Sequence, residues 1–170
     1  MTEADIDAVA AVRVRGWQAA YRGLIPQAHL DGLSVEEDAA RRREFFSRGV
    51  GDVVNLVAES AVGEVVGWAC LGPYRDHDLP SGDAELYAIY VRPDLIGTGI
   101  GHALLTESVT RAAERAFPHL RLWVLEGNTH ARRFYERAGF TPDGGKEDYE
   151  VNGVPVPELR YVRTLALTPA

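Results

Sequence analysis

Residues 84–117 constrain the fold more than any other part of the chain. They open with Ala84-Glu85-Leu86-Tyr87-Ala88-Ile89-Tyr90-Val91, apolar on both alternating faces, as in a strand covered on both sides of a sheet. Pro93 cannot donate to a ladder and ends that strand. Gly97, Gly99 and Gly101 come next. From there Ile100, Leu104, Leu105, Val109, Ala112, Ala113 and Ala116 recur at the spacing of a helix lying on a sheet, until Pro118 stops it. A buried strand therefore runs into a three-glycine turn that opens a helix.

That order has a chemical use. The first turn of a helix leaves its N–H groups unpaired and partly positive, so it attracts phosphate oxygens. Glycine at 97, 99 and 101 removes the Cβ atoms that would hold a pyrophosphate away from those donors. The alternative is a turn whose glycines only permit tight chain reversal. The dinucleotide fingerprint G-x-G-x-x-G needs glycine where His102 or Leu104 stands, and the P-loop needs Gly-Lys-Ser/Thr although the one lysine is Lys146. Both are poor fits.

The run Val91-x-Pro93-x-x-x-Gly97-x-Gly99-x-Gly101 instead resembles the acetyl-CoA loop of the GNAT N-acetyltransferase superfamily. Residues 122–128 resemble that family's next strand. Residues 128–140, with Asn128, Ala131, Phe134-Tyr135 and Ala138-Gly139-Phe140, resemble the helix after it. The likeness runs over roughly residues 52 to 164. It implies one α+β, three-layer domain over residues 1–170, with a mixed, mostly antiparallel sheet of about six to seven strands flanked by about four helices. It also implies acetyl-CoA as cofactor, held by Ile89, Tyr90 and Val91, by Ile96, Gly97, Thr98, Gly99, Ile100, Gly101 and His102, and by Asn128 and Tyr135. One position departs from the pattern. The family has Arg or Gln three residues before Gly99, and Ile96 stands there; a polar phosphate contact is lost while the backbone donors remain.

At 170 residues the chain is long enough to bury a real core, and 46% hydrophobic with 25% charged residues is ordinary for a globular protein. A net charge of −7 argues against a nucleic-acid partner. It agrees mildly with a cationic small substrate. Cys70 is the sole cysteine, which excludes an intramolecular disulfide and a cysteine metal cage. No stretch approaches the ~20 apolar residues of a membrane span and no signal pattern opens the chain. A cytoplasmic protein is the expectation.

Thr2 with Asp5 three residues on is a helix start, and the helix is expected to run to about Ala20 with Val9, Gly16, Trp17, Ala20 and Tyr21 on one side. In the resembled family a short edge strand precedes this helix. Almost no chain precedes Thr2, so that strand is expected to be missing or reduced and the edge it would cover to be exposed or paired with another subunit, with a homodimer as a possible expectation. Trp17, Tyr21 and Arg22 either seat the helix on the sheet or, by the resemblance, belong to one wall of an acceptor pocket. Ser34 starts a second helix to about Arg48, whose Arg41-Arg42-Arg43 reads as a solvated face paired with Glu37 and Asp38. Residues 53–59 and 65–71 alternate like paired strands. The loop at 72–83 carries Tyr74 and the run Asp76-His77-Asp78; a solvated cover over the pocket entrance, with Asp76 or Asp78 attracting an amine, is a better reading than a metal site.

Glu85 is the odd residue of the central strand. A carboxylate there is costly unless paired or useful. It sits either at a frayed, wet strand start or inside as a general base with a pKa raised by partial burial. By the resemblance it corresponds to a catalytic glutamate, and Tyr135, otherwise a packing tyrosine, is the general acid facing the coenzyme sulfur. Asn128 serves as an N-cap, a pantetheine contact, or both. Asn152-Gly153 marks a closing hairpin. The expected reaction is acetyl transfer to a primary amine of a small molecule. The alternatives are acetylation of a protein N-terminus or lysine, or a non-catalytic acetyl-CoA-binding module.

Overall fold

The computed structural model describes residues 1–48, 51–76 and 82–166. Among the described residues six strands make one sheet: β1 (Val54–Glu59), β2 (Val65–Pro73), β3 (Ala84–Val91), β4 (His119–Leu125), β5 (Thr141–Val151) and β6 (Val154–Thr164), ordered β1-β2-β3-β4-β6-β5. All neighbours are antiparallel except β3 and β4. Among the same residues five α-helices flank the sheet: α1 (Ile6–Ala20), α2 (Gln27–Asp31), α3 (Val35–Ser47), α4 (Ile100–Glu114) and α5 (Thr129–Arg137). The mixed, mostly antiparallel sheet is as expected. α2, five residues after Pro26, is too short to leave a periodic signal and was not anticipated.

One pair of strands decides the shape of the molecule. Because α4 crosses between them, β3 and β4 are parallel. They pair only at Ala84–Leu120 and Glu85–Arg121 and then part. From Leu86 onward, the edge of β3 that faces β4 has no ladder partner. A second irregularity lies on the other side of β3, where Cys70 pairs with Ala88 but Leu71 pairs with Leu86. Tyr87 is therefore an extra residue, a β-bulge that resets which face each later side chain takes. Leu86 and Ile89, three residues apart, consequently pack into the same core.

That core lies under α4 and α5, with Leu71, Leu86, Leu104, Leu105, Leu122, Phe140 and Tyr161 buried in it. The opposite face is covered by α1, backed by α3, through Val9, Trp68 and Cys70. α1 rides close to the sheet: a Cβ on Gly16 would meet Cδ1 of Tyr90 at 2.8 Å. At its start the Asp5 carboxylate accepts from the Thr2 N–H at 2.5 Å and the Thr2 hydroxyl at 3.0 Å. Ser34 caps α3 by accepting from the Glu37 N–H at 3.2 Å.

The arginine run on α3 is less solvated than its pattern implies. Asp38 is buried and accepts from Arg13 at 2.7 Å and Arg42 at 2.6 Å, and Arg42 lies 4.1 Å over the Trp68 ring. Arg43 reaches back to Asp7. These arginines tie α3 to α1 and to the sheet, a packing role that the charge run alone does not reveal. Among the described residues no strand precedes α1, and β1 and β5 are the outer strands. No helix among them is long and apolar enough to cross a membrane.

Candidate active site

The parting of β3 from β4 opens a cleft of about 990 Å³ that reaches both faces of the sheet. The turn before α4, the splayed ends of β3 and β4 and the start of α5 line one part. Trp17 and Tyr21 of α1, Glu147 and Tyr149 of β5 and Glu158 of β6 line the other.

At the turn, Gly97 and Gly99 have φ of +86° and +94°, which any other residue resists. Gly99 occupies the N-cap position of α4 and offers no side chain. The first-turn amides therefore keep no side-chain acceptor and remain as donors for an anion. Ile96, Gly97, Gly99, Gly101 and His102 line the cleft. Thr98 and Ile100, also expected there, do not. The Thr98 hydroxyl turns back to donate to the Leu95 carbonyl at 2.7 Å, and Ile100 packs into the core.

Ile89, Tyr90 and Val91 line the cleft along the unpaired stretch of β3. The Tyr90 and Tyr21 hydroxyls lie 3.1 Å apart, joining that strand to α1. Asn128 caps α5, its Oδ1 accepting the Ala131 N–H at 3.1 Å, which leaves its NH2 group for another partner. Tyr135 is 9% exposed, wedged between Phe134 and Phe140. Its phenol has no hydrogen-bond partner among the described residues and looks into the cleft. Burial, with the neighbouring Tyr21, raises its pKa, so it stays protonated.

Glu85 is not at a frayed end: it is 2% exposed. Arg75 donates to its carboxylate through Nε at 3.1 Å, Nη2 at 2.5 Å and its backbone N–H at 3.2 Å, while stacking over Tyr87. Asp76 accepts from the Trp123 indole at 2.9 Å and so is already engaged. His77 and Asp78 lie outside the described residues.

Two expected acceptor-side residues are elsewhere. Arg22 is exposed beyond α1, and Tyr74 is held by Arg160 at 2.8 Å; neither lines the cleft. Trp17 and Tyr21 do, packed edge to face at 4.9 Å. The Trp17 indole N–H is buried without a partner among the described residues.

Sequence reasoning missed Glu147, Tyr149 and Glu158. Glu158 had a signal: it stands two residues from buried Val156, on the inward face of β6. Burial, reinforced by the charges of Glu147 and Glu85, pushes its pKa up to about 7, against the pull of Arg75.

The sheet thus splits between parallel strands, with the open first turn of α4 on one side and the Tyr135 phenol within, and its relatives make the chain an acyl-CoA-dependent N-acetyltransferase. Residues 17–140 match the Acetyltransferase (GNAT) family, and the chain belongs to it; the family uses acetyl-CoA. It is 31% identical over 156 residues to the uncharacterized N-acetyltransferase YuaI of Bacillus subtilis, covering 91% of this chain and 85% of that one. An L-methionine sulfoximine/L-methionine sulfone acetyltransferase of Pseudomonas paraeruginosa is 32% identical over 63% of this chain and 62% of its own length. Among solved structures, the PaiA N-acetyltransferase of Thermoplasma acidophilum in complex with coenzyme A has a TM-score of 0.73 at 20% identity, covering 96% of this chain and 95% of its own. At that identity it speaks for the fold.

Proposed function

We propose that the protein moves the acetyl group of acetyl-CoA onto a primary amine of a small molecule by direct attack through a tetrahedral intermediate. The observation that carries this is the buried, partnerless phenol of Tyr135 looking into the gap between β3 and β4. In this reading the pyrophosphate rests on the amides around Gly97 to Gly101, main-chain donors that do not need the polar side chain missing at Ile96. The pantetheine arm runs past the NH2 group of Asn128, along the unpaired edge of β3 at Ile89 to Val91.

Attack puts negative charge on the thioester oxygen, and a backbone N–H of that unpaired edge is a donor needing no reorganisation. Collapse expels a thiolate, to which Tyr135 gives its proton. Holding both reactants in one cleft supplies much of the remaining acceleration. Trp17, Tyr21 and Tyr149 form an aromatic wall suited to an ammonium group or an apolar stem. The methionine sulfoximine enzyme, a relative that acts on a small amino-acid analogue, supports a small acceptor over a protein.

The test has two arms: thermal unfolding with and without coenzyme A, and thiol release from acetyl-CoA across a panel of primary amines, amino-acid analogues and peptides. A rise in melting temperature with coenzyme A and thiol release with a small amine are expected. Turnover confined to peptides would replace the small acceptor with a protein, and binding without turnover on any amine would make this a sensor rather than an enzyme.

A further inference from the structure

Among the described residues four carboxylates line the cleft: Asp76, Glu85, Glu147 and Glu158. Three are committed. Asp76 holds the Trp123 indole, Glu85 is clamped by Arg75, and Glu147 is also engaged. Glu158 has neither a hydrogen bond nor an ion pair among the described residues. It stands opposite Leu125, the last residue of β4, and opposite Glu147 of β5. Its inward neighbour Val156 packs in the cluster that holds Trp17 and Tyr21. The free carboxylate is therefore at the rim of the gap, on the side away from α4 and α5.

We propose that Glu158 is the base of the reaction: it meets the acceptor's ammonium group and takes its proton. The inference rests on the acetyl-transfer reading above. An alkylammonium has a pKa near ~10.4, so the nucleophile arrives with its lone pair blocked. One N–H proton goes to a Glu158 oxygen, and the freed lone pair forms the C–N bond at the thioester carbon. The C–S bond breaks and its electron pair stays on sulfur. Tyr135 protonates that thiolate and recovers a proton from the intermediate's nitrogen, through water. Glu158 later releases its proton to solvent, which balances the reaction as acetamide, free thiol and one H⁺.

The surroundings suit that task. Glu147 from β5 and Glu85 from β3 press negative charge on Glu158, Arg75 opposes them, and Tyr21 from the end of α1 lies within reach of its charge. Arg160, next but one on β6, is occupied by Asp143 and Tyr74. Burial and the two like charges bring the carboxyl to about 7, close to where a general base works best at neutral pH. Glu85, with its oxygens already receiving three donors, is better placed to hold Arg75 than to collect a proton.

The experiment compares wild type, Glu158→Gln and Glu85→Gln over pH from about 5.5 to about 9. Because the base must be deprotonated, wild-type kcat/KM should rise with pH through about 7. Glu158→Gln should lose that rise and ~10²-fold or more of the rate, with coenzyme A binding unchanged; Glu85→Gln should keep the rise. A rise that survives in Glu158→Gln, or vanishes in Glu85→Gln, overturns the proposal. A readout independent of turnover is the carboxyl-¹³C titration of Glu158, assigned by its absence from Glu158→Gln. Propylamine added to the coenzyme A complex should lower that midpoint. No movement overturns the assignment. Movement without turnover supports Glu158 as the amine's partner and overturns the transfer reading alone.

Discussion

Tyr135 and Glu158 enter the same cleft from opposite faces of the sheet, and burial raises the pKa of both. The consequences differ. A phenol pushed up remains a donor at every working pH, whereas a carboxyl pushed up to about 7 becomes a stronger base that still ionises near neutrality. The phenol makes no hydrogen bond to the described protein and opens on the cleft, so the fold does not lean on its oxygen. Tyr135→Phe is therefore expected to unfold within ~0.5 kcal/mol of wild type and to lose ~10²-fold in kcat with little change in KM for acetyl-CoA. Steady-state kinetics beside a denaturant melt checks both halves. Full turnover in the variant would remove the acid from the mechanism.

At the scale of elements, the turn between β3 and α4 is where backbone geometry and ligand chemistry coincide. Gly99 holds φ of +94°, and a Cβ placed on it meets nothing within 4 Å. The strain of an alanine there is thus conformational, not steric, and the added methyl stands in the space proposed for phosphate. Gly99→Ala should destabilise the protein by about 1 kcal/mol and weaken coenzyme A by ~10-fold, read by calorimetry and a coenzyme A titration. Unchanged affinity would move the pyrophosphate elsewhere. This element was legible beforehand because its signals are local: a doubly apolar strand, Pro93, three glycines and a helical repeat within one stretch. The cleft was not. The parting of β3 from β4, the bulge at Tyr87 and the clamp of Arg75 on Glu85 are set by pairing and packing between segments, which no single window of sequence contains. For Glu158 the alternation with Val156 is local, but only the antiparallel pairing of β6 brings it beside β4 and the cleft.

For the whole molecule, the cleft works as a passage through the sheet. In the proposed reading the donor's tail lies on the α4 and α5 side and the acceptor enters past α1, β5 and β6, all of them elements that line the one cleft. A route through an acetylated enzyme would need a nucleophile in that passage. Among the described residues no serine or cysteine lines it. Cys70 packs with Val9 and Trp68 beneath α1, and burial pushes its thiol up to about 11, so it is neither reachable nor ionised. Ser108 is buried within α4, its hydroxyl donating to the Leu104 carbonyl at 2.7 Å. A lining without serine or cysteine supports the proposed direct transfer from sulfur to nitrogen with both molecules bound. Initial-rate plots at several fixed amine concentrations should intersect, and Cys70→Ser should keep wild-type kcat. Parallel lines, or an acetyl group found on the protein after acetyl-CoA is added without amine, would replace direct transfer with a covalent step on a histidine, threonine, tyrosine or carboxylate of the passage.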